Sequence, residues 1–134
     1  MQFKVDFITY RGVYSTIQTS KLNVPTSEGR RTILSNHMPI MLPLVLGVIE
    51  TEEDGKIRHY VVNNGVLYFE NNVGEIVADN VISMEDINVE RAQGNLKKAE
   101  ERLAKARKET EIFRAREMYD IATCLLKAAE KYAD

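Results

Sequence analysis

The stretch VISMEDINVERAQGNLKKAEERLAKA, residues 81–106, decides the fold. Near Ser83 it passes from the last β-rich residues into a helical repeat. Val89, Ala92, Leu96, Ala99, Leu103 and Ala106 recur at alternating spacings of three and four, a heptad seam that packs a helix along one narrow stripe. Every second member is alanine, which lets a partner backbone approach closely. Ser83 with Asp86 three residues later resembles a capping box, and Asp86 and Asn88 are alternative N-caps. Gly94 lies inside the repeat. It costs about 1 kcal/mol relative to alanine in a helix interior, which points to a close contact favouring it.

Downstream, Ala115, Met118, Ala122, Leu125, Ala129 and Tyr132 repeat the same spacings but do not continue the first series. Extending that series by heptads leads to Thr110, Phe113, Glu117 and Asp120, so the phase slips by two residues. A straight helix would carry two stripes on different faces, whereas a turn near Lys108 to Glu111 brings them together as a hairpin. The turn region Arg107-Lys108-Glu109-Thr110-Glu111 holds no glycine or proline, so it can also become helical and open the hairpin.

Upstream of Ser83 the chemistry is different. Six of the seven glycines, all three prolines and both histidines lie there. Phe3, Val5 and Phe7 alternate with Lys4 and Asp6 at the period of a half-buried strand. Further strands are expected at Val13 to Thr19, Leu22 to Val24 and Leu44 to Thr51. Asp54-Gly55 supplies the positive φ angles of a tight hairpin turn, followed by Ile57 to Val62. Asn63-Asn64-Gly65 and Asn71-Asn72 bracket a strand from Val66 to Glu70, and Val73 to Ala78 is the last. Short strands at this spacing read as an antiparallel sandwich or barrel. The segment Val24 to Gly47 is too apolar for an exposed loop and reads as a long connection packed on a sheet, with its tip, Thr26 to Arg31, exposed.

Composition sets the remaining bounds. The chain of 134 residues is 28% charged and 44% hydrophobic, values of an ordinary soluble domain. Met38 to Ile49, the longest nearly apolar stretch, is well short of the roughly 18 residues that span a bilayer. MQFKVDFITY lacks the apolar block of a secretory signal, and the single Cys124 offers no disulfide framework, so the cytoplasm is the expected compartment. Cys124, beside Leu125 and Leu126, reads as an inert buried thiol, and His59, in phase with Ile57 and Val61, as a core-edge or cross-strand histidine. There is no phosphate-cradling glycine loop and no cluster of metal ligands. Acids interleaved through the helices argue against nucleic-acid binding. One charge feature stands out: Lys97 to Arg116 holds eight bases against four acids.

Val24-Pro25-Thr26-Ser27-Glu28-Gly29, then Ile33-Leu34, His37, Pro39 and Gly47, and then Asp86-Ile87-Asn88-Val89-Glu90-Arg91-Ala92 opening the first helix, together resemble the epsilon subunit of F-type ATP synthase. The resemblance covers essentially the whole chain. It implies an α+β fold, with an N-terminal antiparallel β-sandwich of about ten strands over residues 1–84 and a C-terminal α-helical hairpin over residues 85–134. By resemblance the sandwich docks on the gamma subunit in the rotor, and Glu28, Gly29, Arg30 and Met38 meet the ring of c subunits. His37, Pro39 and Gly47 belong to the structural motif. The helical arm would extend toward the catalytic alpha and beta subunits, meet the beta subunits through Lys105, Arg107, Lys108, Arg114 and Arg116, and restrain ATP hydrolysis.

The resemblance thus implies a non-catalytic coupling subunit, peripheral on the cytoplasmic face of the cell membrane, without membrane insertion, metal or cofactor. The chain departs from the family pattern where Arg30 replaces a frequent acid, Thr32 a glycine and Ser35 a proline, and where Asn64-Gly65 replaces a common Gly-Gly pair. Some relatives bind ATP in the closed hairpin. Here the corresponding positions read Ile82, then Ile87, Asn88, Arg91, Ala92 and Lys98, without two of the acids and with no base in the late stretch Ile121 to Leu126, so ATP binding is not expected. The alternative reading is a free-standing module whose hairpin pairs with an unrelated helical partner.

Overall fold

The computed structural model describes residues 1–132. They form two compact units, the first Met1–Ser83 and the second beginning at Met84.

The first unit is a β-sandwich of eight strands: β1 Phe3–Thr9, β2 Gly12–Thr19, β3 Lys21–Thr26, β4 Gly29–Leu34, β5 Ile40–Leu44, β6 Gly47–Glu53, β7 Lys56–Glu70 and β8 Val73–Ser83. The pairing order is β2-β1-β8-β7-β6-β3-β4, with β5 also on β7. There are eight strands rather than about ten, and one of the differences is that the stretches on either side of Asn63-Asn64-Gly65 are a single strand. Residues 56–62 of β7 pair with β6 and residues 65–69 with β5, while β8 runs along the other edge from Tyr60 to Glu70. Asn64, at φ 44°, marks the change of partner rather than a turn. Gly65 follows because a Cβ there would sit 2.8 Å from both the Ala78 Cβ and the Val77 carbonyl oxygen.

The pairs are antiparallel except β1 with β8, the first and last strands, which run side by side in parallel. Two tight turns are as the sequence predicts. Asp54 and Gly55 have φ 53° and 76°, and Asn71 and Asn72 have φ 53° and 60°, the left-handed pair of a two-residue hairpin loop. Val24 to Gly47, in contrast, is no crossover: it holds the β3–β4 hairpin, a short loop and β5.

Alternation fills the core as expected. Phe3, Val5 and Phe7 of β1 are buried with Leu22, Ile33, Ile49, Leu67, Phe69 and Ile76. Phe3 meets Phe69 edge-on at 5.3 Å, and Phe7 packs on Tyr60 at 4.8 Å. The Tyr60 hydroxyl donates to Glu53 at 2.8 Å, and burial with that carboxylate pushes its pKa well above the usual range.

In the second unit, Met84–Asp86 form a single 3-10 turn before α1, Val89–Lys105. The Asn88 side chain accepts from the Arg91 amide at 3.0 Å and is the N-cap. α2 spans Glu109–Tyr132. The joint lies at Ala106 to Lys108, slightly before the expected place, since Glu109 to Glu111 are already helical. Two acids in that first turn suit the positive end of the helix dipole. The stripes meet along the hairpin, with Ala92 and Ala99 of α1 and Ala115 and Ala122 of α2 buried, but near the end of α2 the buried residue is Ala128 rather than the expected Ala129. Gly94 has no close contact, because a Cβ there would meet nothing within 4 Å. Among the described residues no helix is long and apolar enough to cross a membrane.

Candidate functional site

Two surfaces hold the contact residues singled out by the sequence, and strand pairing adds another. The first is the β3–β4 tip. Ser27 and Glu28 form a two-residue loop between the paired Thr26 and Gly29, and Gly29 sits at φ 111°, which favours glycine. The Thr26 hydroxyl donates to the Gly29 carbonyl and accepts from the Glu28 amide. Glu28 is exposed. Arg30 behaves differently: its guanidinium donates to the Asn23 side chain and to the Val48 carbonyl. β3 and β6 pair only at Leu22–Thr51 and Asn23–Glu50, so Arg30 reaches across where that ladder has stopped. It braces the hairpin with the same group that would contact a partner.

Met38, grouped with Glu28 and Arg30 by resemblance, stands beyond the other end of β4. Six strand residues at about 3.3 Å each put roughly 20 Å between them. Met38 is 72% exposed in the loop that also holds His37 and Pro39. His37 donates its Nδ1 proton to the Met38 carbonyl at 2.7 Å, since a carbonyl only accepts, and lies edge-on to Phe69 at 6.2 Å. Gly47 sits against Pro25, where a Cβ would come within 2.8 Å of the proline ring.

The second surface is visible only through strand register. On the outward face, Val13, Ile8, Val77, Val66 and Pro43 stand opposite one another across β2, β1, β8, β7 and β5. The neighbouring row runs Thr16, Asp6, Glu75, Tyr68 and Met41. Val13 is 64% exposed and Met41 60%, with Tyr68 and Val77 also open to water. A contiguous apolar band on a solvent-facing sheet marks a contact surface. No one strand shows it, because each contributes a single residue per row.

The third surface is the basic middle of the hairpin. Lys105 ends α1, Arg107 and Lys108 form the joint, and Arg114 and Arg116 lie in the first turns of α2. All five are exposed, with Ile112 and Phe113 beside them. Arg116 pairs with Asp120 at 3.7 Å and lies over the Tyr119 ring. Lys105 and Arg114 line one groove between the helices, with Glu101 and Glu111 also on its walls.

The positions matching the nucleotide motif do not converge. Asn88 caps the helix, Ala92 is buried in the seam, and Ile87 is half-buried. Arg91 and Lys98 are exposed and one heptad apart, roughly 10 Å along the helix. Among the described residues no cluster of His, Cys, Asp and Glu could hold a metal ion. His59 is a cross-strand residue, 3.1 Å from Glu50, and burial pushes the half-buried Cys124 thiol up.

Comparison with known proteins agrees on one family. Residues 2–84 match the profile described as ATP synthase, Delta/Epsilon chain, beta-sandwich domain, and residues 85–130 the one described as its long alpha-helix domain. The chain is 35% identical over 109 residues to an ATP synthase epsilon chain of Lactobacillus helveticus, covering 78% of this chain and 75% of that one. It is 31% identical over 132 residues to that of Lactobacillus gasseri, covering 96% and 88%. Among solved structures, a chain of the Euglena gracilis mitochondrial ATP synthase superposes with a TM-score of 0.79 at 20% identity, over 95% of this chain and 81% of that one.

Proposed function

The chain belongs to the ATP synthase delta/epsilon chain family and is a non-catalytic epsilon subunit, and from that premise we propose how its surfaces divide the work. The apolar band Val13–Ile8–Val77–Val66–Pro43 docks on the gamma subunit and fixes the sandwich to the central stalk. The β3–β4 tip, led by Glu28 and Gly29 and braced by Arg30, faces the ring of c subunits, with Met38 as a second contact point. Lys105, Arg107, Lys108, Arg114 and Arg116 meet an acidic surface of the beta subunits and restrain ATP hydrolysis. The subunit thereby couples proton flow to ATP synthesis at the cytoplasmic face of the cell membrane. It needs no nucleotide of its own, as Asn88 and Ala92 are committed to capping and packing.

The observation that carries this reading is the apolar band, a five-strand row in which Val13, Val77 and Pro43 are exposed and Ile8 and Val66 half-buried, since such a row is costly unless covered. Val77→Asp places a charge at its centre without entering the core. The expected outcome is at least a hundredfold loss of affinity for gamma, with the sandwich still folded by circular dichroism. Undiminished copurification with gamma would overturn the assignment.

A further inference from the structure

One asparagine outside these surfaces controls the shape of one of them. The β7–β8 turn needs two residues at positive φ, and Asn71 and Asn72 supply them. Only Asn72 does more: its Oδ1 accepts from the Asn36 backbone amide at 2.6 Å and from the Ser35 hydroxyl at 3.3 Å. Asn36 is itself left-handed, at φ 66°, and the His37 amide donates to the Leu34 carbonyl at 3.1 Å, closing a turn over Leu34 to His37. That turn ends β4 and aims His37 and Met38. A tight turn between two other strands therefore holds, by one side-chain oxygen, the loop that displays an exposed methionine.

We infer that Asn72 is a positioning residue: its carbonyl oxygen fixes the Ser35 to Pro39 loop and so sets how Met38 is presented to the rotor. This rests on the reading of Met38 as a contact. The turn chemistry allows a clean separation of roles. Glycine and aspartate both accept positive φ, so Asn72→Gly keeps the turn while deleting the acceptor, and Asn72→Asp keeps both. Asn71→Gly makes the same change to the turn without touching the loop.

Amide exchange in the full chain and proton pumping per ATP hydrolysed in the reconstituted complex read the two consequences separately. Asn72→Gly is expected to speed exchange at Asn36 about tenfold, the loss of one hydrogen bond. It should also reduce pumping at least twofold, as Met38→Ala does. Asn72→Asp should restore both readouts, and Asn71→Gly should leave both at their original values. Unchanged exchange at Asn36 in Asn72→Gly would overturn the clamp. Faster exchange with intact pumping, where Met38→Ala does impair pumping, would overturn the positioning role. Intact pumping in Met38→Ala would instead overturn the contact reading, and the positioning role with it, while exchange at Asn36 still reports on the clamp.

Discussion

The sandwich and the hairpin bury different kinds of residue, a difference that suits the proposed roles of anchor and movable part. The sandwich encloses Phe3, Phe7, Phe69, Leu22, Ile33, Ile49 and Leu67, each almost wholly hidden. Burying one such side chain is worth about 1.5–3 kcal/mol, and edge-on rings add to it. In the hairpin every buried residue is an alanine: Ala92, Ala99, Ala115, Ala122 and Ala128. A methyl contributes only about 0.8 kcal/mol. The alanine seam brings two helices close but binds them weakly. A docking platform must not loosen, whereas an arm that exchanges an internal contact for a partner must not hold too tightly.

The largest expected effect lies in the platform. Phe7 is fully buried and packs on Tyr60, so Phe7→Ala should cost about 3–5 kcal/mol. Urea unfolding of the sandwich measures it. A loss below about 1 kcal/mol would mean that the core collapses around the gap and is no better packed than the hairpin.

The next effect is smaller and confined to the arm. Ala99 is fully buried between the helices, and Ala99→Leu overfills the seam at a cost of about 1–3 kcal/mol. Amide exchange along α1 and α2 should rise while the sandwich midpoint stays where it was. If the closed hairpin competes with an extended form that restrains hydrolysis, ATP hydrolysis by the assembled enzyme should fall. A sandwich destabilised equally by Ala99→Leu would break the comparison, since the two units would then unfold as one.

Much of this division is readable in the residues, and what is not has physical causes. Period-two alternation at Phe3, Val5 and Phe7 and the Asp54-Gly55 turn are local signals that the structure places as read, and the alanine-rich stripes hold except near the end of α2, where Ala128 is buried in place of Ala129. β4 is hidden because Gly29, Arg30, Arg31 and Thr32 are all exposed on an edge strand, so only Ile33 faces the core. The continuity of β7 is hidden because an asparagine at positive φ looks the same whether the chain turns back or changes partner. The docking band and the Arg30 brace depend on register, which brings Val13 beside Ile8, and Arg30 beside Asn23, only once the strands are paired. The hairpin joint is blurred because Ala106 to Lys108 contain no glycine or proline.

The smallest effect sharpens the comparison most. Gly94 lies in the interior of α1, and nothing in the structure accounts for it, as a methyl group there would point into open space. Gly94→Ala is therefore expected to stabilise α1 by up to about 1 kcal/mol, seen as slower amide exchange along the helix, with the sandwich unchanged. No gain would mean that the helix is already held by its seam, against the weak packing argued here. The assembled enzyme gives the same substitution a second meaning. If the isolated arm gains stability and hydrolysis rises as the closed hairpin is favoured, the glycine sets the balance between two states by weakening one of them. If hydrolysis rises while exchange along α1 is unaltered, the added methyl is instead obstructing a neighbouring subunit at this face of α1. In the first case the arm's mobility is a property of its own sequence, alanine seam and glycine together, with the partner only selecting among states already present.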